Sequence, residues 1–383
     1  MKLLCPCSTL DFAFGYGCTP AWWQFFKGLY ELGHDVIAVP YQGHAIASPW
    51  WRVYPNPCRL EGEAFSLAKR ALGSKAPSTA RGISGYASKS LIESWIRPRW
   101  QAHLADILAK EKNVDAVIVF TIPVNHFRGI ADELRARFNT PFYYYDGDVP
   151  ASLPQFGGFA SGFNIYEGAN LSEYDGVFCN SEGGADDLRQ LGARNVTTIH
   201  WGVDPDIYAP YPCEPDRDVF FYGFGVEYRT EWVKTMLTDP SLALTDARFA
   251  FGGRGFDCER GNVAMAGDVP MNVFREAAGR SRINLNITRN AHASVYASSS
   301  MRPFELAAMG CCIVSNPCAG IETWFDIGRE FLIVQSTEEA IETYRRLLAD
   351  PAARIALGES ARARVLDCHT HRHRAKQIVA AIA

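Results

Sequence analysis

The stretch AWWQFFKGLYELGHDVIAVPY, residues 21–41, decides the fold. Its apolar residues recur at helical spacing as far as Gly33, and a strand-like run of Val, Ile and Ala follows at once. Ahead of it stands KLLCPC, Lys2–Cys7, which reads as a buried strand. Strand, crossover helix, strand is the repeating unit of a parallel sheet. Outward from this unit the alternation continues. Strands are expected at Val114–Phe120, Pro141–Tyr145, Gly176–Asn180 and Val196–His200, with helices at Phe127–Phe138 and at Glu182–Leu191, the latter closed by Gly192.

After Val203 the pattern stops. DPDIYAPYPCEPDRD, Asp204–Asp218, holds four prolines among many acidic residues, a composition that predicts an extended connection and not a packed element. The alternation then restarts with strands at Val219–Tyr222, Arg248–Phe251, Ile283–Ile287 and Cys312–Ser315. Helices are expected at Thr230–Leu237, Asn272–Ala278, Pro303–Met309, Thr337–Leu348 and Ala352–Asp367, and an amphipathic one over Thr370–Ala383. The fold class is therefore α/β, with two Rossmann-like, doubly wound parallel-sheet domains at residues 1–207 and 216–368. A closing helix follows at 369–383.

Bulk properties narrow the function. A chain of 383 residues exceeds what one hydrophobic core usually serves. A hydrophobic fraction of 48% and 13% aromatics rule out a mainly disordered chain. The net charge of -4 offers no general attraction to a phosphate backbone, so a nucleic-acid polymer is not an expected partner. MKLLCPC is too short an apolar run for a signal peptide, and no segment reaches the roughly 18 apolar residues of a membrane span. Peripheral membrane contact is left open. The eleven cysteines show no C-x-x-C pair, which points to reduced thiols and a cytoplasmic location.

In open parallel sheets, ligands sit at the carboxyl ends of the strands. SSSMRPFELAAMGCCIVSN, Ser298–Asn316, is such a place. Pro303 suits the first helical position, Ser299 and Ser300 can supply hydroxyls and amides, and Arg302 adds a cationic fork, which together suit an anion. Glu305 then falls in the first turn, where it either compensates the helix dipole or accepts hydrogen bonds from a diol such as ribose. STLDFAFGYG, Ser8–Gly17, follows the first strand. Gly15 and Gly17 allow close backbone approach to a ligand or simply make a tight turn. The dinucleotide fingerprint is broken at Pro20, which argues against a nicotinamide enzyme. YYYDGDVP places Asp146 and Asp148 past a strand, where a carboxylate can take or orient a hydroxyl proton or close an Asx turn. His126 and His292 follow strands in the two halves, near a transferred group or in structural roles. HTHRHR, His369–Arg374, lacks the carboxylate or cysteine that would complete a metal site, so no metal is expected. Residues 52–99 read as loops and helices on the acceptor side.

RINLNITRNAHASVYASSSMRPFELAAMGCCIVSNPCAGIETWFDIGREFLIV, residues 282–334, resembles the donor-binding region of GT-B glycosyltransferases of the group 1 type. The nearest resemblance is to the bacterial group related to the spore-maturation glycosyltransferases. DGVFCNSEGGADDLRQLGARNVTTIHWGVDPDIYAP, residues 175–210, is similar to the segment that ends the first domain of that family. The resemblance implies that Glu305 binds a nucleotide ribose and that Arg302 and Ser300 hold a diphosphate. It also makes Arg229, in FYGFGVEYR, a basic phosphate ligand, where its own position allows equally a surface salt bridge. It implies that the last helix packs back on the first domain. Many members carry a second glutamate eight positions before the first, and here that position is Ala297.

The expectation is a metal-independent, hexosyltransferase-like enzyme that needs no cofactor. It would move a sugar from a nucleoside diphosphate sugar to a carbohydrate or small-molecule acceptor, with retention of configuration. Two rivals share the architecture. One is a nucleotide-sugar epimerase that keeps the donor site without an acceptor, and the other, suggested by Ala297, is a degenerate binding module.

Overall fold

Leu3 to Cys7 are buried without alternation, as in a strand covered on both faces, and this run forms the centre of the first sheet. The computed structural model describes residues 1–11, 21–63, 91–156, 165–166, 168–225, 229–256, 259–267, 269 and 271–383, without the side chains of 271 and 272. Gly15 and Gly17 lie outside the described residues.

The first half supplies β1 (Lys2–Thr9), α1 (Ala21–Glu31), β2 (Asp35–Gln42), β3 (Arg52–Val53) and α2 (Arg97–Glu111). It continues with β4 (Ala116–Phe120), α3 (Ile130–Phe138), β5 (Phe142–Asp146), β6 (Gly176–Cys179), α4 (Ala185–Gln190) and β7 (Val196–Thr198). The strands pair in parallel in the order β3-β2-β1-β4-β5-β6-β7, so the chain starts centrally, winds to one edge, then returns to β4. The second half repeats the plan. It holds β8 (Arg217–Phe224), α5 (Thr230–Val233), α6 (Asp239–Ala243), β9 (Phe249–Arg254), β10 (Val263–Gly267), α7 (Met271–Gly279) and β11 (Ser281–Asn286). Then come α8 (Asn290–Ser294), α9 (Met301–Ala308), β12 (Ile313–Ser315), β13 (Leu332–Ile333), α10 (Thr337–Ala349), α11 (Pro351–Cys368) and α12 (His371–Ile382). Its order is β10-β9-β8-β11-β12-β13, again parallel. The strand order reverses between β1 and β4 and between β8 and β11, the places where such sheets open a crevice.

Alternate residues of β8 serve two cores. Val219 and Phe221 pack with Tyr344 and Leu347 of α10, while Phe220 and Tyr222 pack with Phe274 and the apolar side of α9. The second of these cores runs without a break into the first half, where Trp22, Phe25 and Phe26 of α1 cover the sheet. The two halves therefore share buried apolar contact as well as polar ties.

The connection after Val203 departs from the sequence expectation. It has no regular structure, but its beginning is packed: Tyr208 is buried beside Phe274, and Asp204 accepts from Lys27 of α1 at 3.0 Å. Composition misses this because both partners are distant in sequence. The final helix lies against α1. Its entry is fixed by main-chain bonds from Val203 N to His369 O (3.1 Å) and from His371 N to Val203 O (2.9 Å). Gly202 permits that approach, since a Cβ there would stand 2.8 Å from His369 O.

The histidines of HTHRHR find partners in this junction. His369 Nε2 lies 3.1 Å from Trp324 O, His371 packs against the rings of Phe25 and Trp201, and His373 completes a capping box with Thr370. Among the described residues no group of three or more His, Cys, Asp or Glu could hold a metal ion. No described helix is long and apolar enough to cross a membrane.

Candidate functional site

The carboxyl edges of the two sheets face each other. Past β6, Ser181 bridges Ser298, and their hydroxyls meet at 2.6 Å. Asn180 Nδ2 donates to Ser299 O (2.7 Å), while Ser299 Oγ accepts from Trp201 N (2.9 Å) and donates to Asn180 O (3.0 Å). Ser299 is thus fully buried as a tie between the halves, with its hydroxyl occupied.

Ser300 is extended (φ -122°, ψ 164°) and opens α9, and its side chain caps no amide. The helix starts earlier than the sequence expectation, because Met301 and Arg302 already have helical geometry. Pro303 is its third residue, where a missing N–H is still harmless. Glu305 therefore belongs to the second turn, one turn below Arg302.

That spacing brings the two together. Arg302 Nη1 stands 2.8 Å from Glu305 Oε2 but out of hydrogen-bond alignment, and Glu305 Oε1 has no partner among the described residues although the residue is only 1% exposed. The guanidinium rests over Phe274 (4.2 Å) and Tyr222 (4.8 Å). An unmet buried acceptor costs about 1–3 kcal/mol, so this oxygen is an acceptor position that no described residue fills.

Arg229 and Arg289 flank the reversal point of the second sheet. Arg229, after β8, donates through Nε to Ile287 O at 2.8 Å, across the gap to the end of β11. Arg289, immediately before α8, donates to Asp148 of the first half, so an ion pair spans the two edges. His292 of α8 is buried, with Nε2 3.7 Å from Asp148 Oδ1 and Nδ1 unpartnered among the described residues. Burial, then Arg289 and Arg229, hold its imidazole well below the usual range, so it stays neutral at physiological pH.

Asp146 stands behind the first edge and not on it. Its carboxylate is fully buried and accepts from Ser152 Oγ (2.6 Å), Tyr166 OH (2.5 Å) and Asp148 N (2.9 Å). Burial pushes the group up to about 6 despite these bonds. His126 is also buried, 2.5 Å from Tyr41 OH, and burial takes it down to about 4. The structure thus brings Asp148, Arg229 and His292 to one place and Ser300, Arg302 and Glu305 to one helix end. Asp146, His126 and Ser299 are enclosed in networks of their own.

Ala297 is fully buried, with a left-handed φ of 47°. Its N–H donates to Ala319 O (2.8 Å), and its carbonyl accepts from Glu182 N across the junction. Gly320 crowds it so closely that a Cβ on Gly320 would lie 2.4 Å from Ala297 N. Ala297 is thus part of the packed junction, its methyl group enclosed and its backbone bonded on both sides. Sequence reading passed over Arg289, Tyr222 and Phe274. Arg289 carried a usable signal, because it follows a strand at the reversal point; the two aromatic residues are identified only by where the guanidinium comes to rest.

Residues 229–380 match the family described as glycosyl transferase-like, a span that holds Arg229, Arg289, His292, Arg302 and Glu305. No curated protein sequence matches the chain significantly. Among solved structures, sucrose-phosphate synthase from Thermosynechococcus elongatus superposes with a TM-score of 0.66 at 15% identity, covering 100% of this chain and 98% of that one. HepE from Anabaena, in complex with UDP and glucose, gives 0.62 at 12% identity, with 100% and 99% covered. The T4 phage β-glucosyltransferase gives 0.57 at 12%, with the same coverage. At such identities the likeness establishes the fold, which is GT-B.

Proposed function

We propose that this chain is a glycosyltransferase that moves a sugar from a nucleoside diphosphate sugar to an acceptor hydroxyl. One observation carries the reading: a buried glutamate with an unmet oxygen, Glu305, lies under an arginine at the opening of a helix on the carboxyl edge of the second sheet. Ribose offers two adjacent hydroxyl donors to Glu305. The diphosphate offers oxyanions to Arg302, Arg229 and the first amides of α9. In this arrangement Arg302 leaves Glu305 Oε2 for the diphosphate, so that both carboxyl oxygens are open to the ribose.

Transfer makes a bond from the acceptor oxygen to the anomeric carbon, and the acceptor's hydroxyl proton passes to the departing diphosphate. The bond from that carbon to the diphosphate breaks, and the departing oxygen keeps the electron pair. The arginines and helix amides stabilise that charge, so the chemistry calls on no metal ion. The ligands of the Anabaena structure, UDP and glucose, support a donor of this class, and the FELAAMG segment after Pro303 supports placement near the spore-maturation-like enzymes. Nine described cysteines are free thiols, in keeping with a reducing compartment.

The test is calorimetric titration of the chain with UDP, GDP, ADP and TDP. The unaltered chain binds at least one of them, and Glu305→Gln weakens that binding by at least tenfold, since one of the two acceptor oxygens becomes an amide nitrogen that cannot accept from the diol. Binding that Glu305→Gln leaves unchanged refutes the assignment.

A further inference from the structure

The ion pair between Arg289 and Asp148 has a feature that structural ties elsewhere at the junction lack. The Ser181–Ser298 and Asn180–Ser299 contacts are sealed, whereas the side chains of Arg289 and Asp148 each remain 17% exposed. The pair sits at the reversal point of the second sheet, with Arg229 on the neighbouring loop and the buried, unpartnered Nδ1 of His292 beside it. A guanidinium at this point is where an anionic ligand of such a sheet is met. Here a carboxylate from the opposite half meets it.

We propose that Asp148 occupies Arg289 in place of the donor's diphosphate, and that donor binding exchanges the two. Arg289 then passes from the carboxylate to the diphosphate, and Asp148 is released toward the acceptor. This rests on the reading of the second edge as a donor site. The exchange has a chemical direction, because a guanidinium fork fits carboxylate and phosphate oxygens alike, and the diphosphate carries more charge than a single carboxylate. It also has a fixed base. Asp148 N is fixed to Asp146 Oδ1, and Asp146 is held by Ser152 and Tyr166, so the loop stays in place while one side chain rotates. Asp146 is in this sense a positioning residue. The acceptor meets a released carboxylate only once the donor is seated, which orders the two substrates with the donor first.

Titration of nucleoside diphosphates (UDP, GDP, ADP, TDP) into the full chain and three variants tests the exchange. Asp148→Asn removes the competing charge and tightens diphosphate binding about tenfold; Arg289→Ala weakens it about tenfold, and Arg289→Lys falls between. The lysine variant keeps a cation at the junction, and Asp148→Asn keeps a hydrogen-bonding group there, so the result does not hang on the folding of Arg289→Ala. Unchanged or weakened binding in Asp148→Asn overturns the exchange. If Glu305→Gln lowers affinity but Arg289→Ala does not, the exchange falls and the donor site stands. If the unaltered chain binds none of the four, both fall.

Discussion

Asp146 and Glu305 are both buried carboxylates near the carboxyl edges of their sheets, one in each half. The first has both oxygens filled by Ser152, Tyr166 and the Asp148 amide, and the second has an Oε1 without a partner among the described residues. Burial alone therefore does not mark a functional carboxylate. A filled one holds its loop in shape, and an unfilled one carries a cost that a ligand can relieve.

The sharpest way to break that contrast is to remove each group. Asp146→Leu strands two hydroxyls and an amide in a dry site and costs about 3 kcal/mol of stability, measured by urea unfolding followed through tryptophan fluorescence. Asp146→Asn, which can still accept from the amide and donate to the hydroxyls, leaves both stability and nucleoside diphosphate affinity within about 1 kcal/mol of the unaltered chain. Glu305→Gln shows the opposite profile, with binding weakened at least tenfold and stability within about 1 kcal/mol. A folded Asp146→Asn chain that binds donor but no longer transfers would move Asp146 into the chemistry.

A smaller effect belongs to the seam between the two regions. Burial, with Arg374 next, takes His369 and His371 down to about 3. The unfolded chain takes up protons near the ordinary imidazole value, and the folded chain does so only near 3. Stability is therefore lost as pH falls through this window. At pH 5 the loss is about 2 kcal/mol per histidine relative to pH 7. His371 packs between Phe25 and Trp201 with neither ring nitrogen bonded to a described residue, so His371→Phe removes its share, and the melting temperature of that variant falls less between pH 7 and pH 5. An equal fall in both proteins contradicts the assignment.

Alternating apolar runs made both parallel sheets legible, because strands buried on two faces leave unbroken apolar stretches such as Val36–Val39 and Ala116–Phe120. The edges were not. β10, with Val263 buried and Ala264 to Gly267 exposed, has no such signature, and β3 and β13 are two residues each. Within the site, Arg302 and Glu305 were legible as residues of one helix end, whereas their mutual contact depends on where that helix begins, two residues before Pro303. Ser299 illustrates the limit differently. A serine at a helix opening suits a phosphate, and only the approach of Asn180 and Trp201 from the other half reveals that its hydroxyl is taken.

A crystal structure of the chain with its tightest-binding nucleoside diphosphate tests the central claim most directly. The ribose hydroxyls should lie within hydrogen-bond distance of Glu305 Oε1, with the diphosphate beside Arg229 and the opening of α9 and with Arg302 drawn off the glutamate. A nucleotide seated at the first sheet, or one that leaves the Arg302–Glu305 pair covered and Oε1 still unmet, would contradict it.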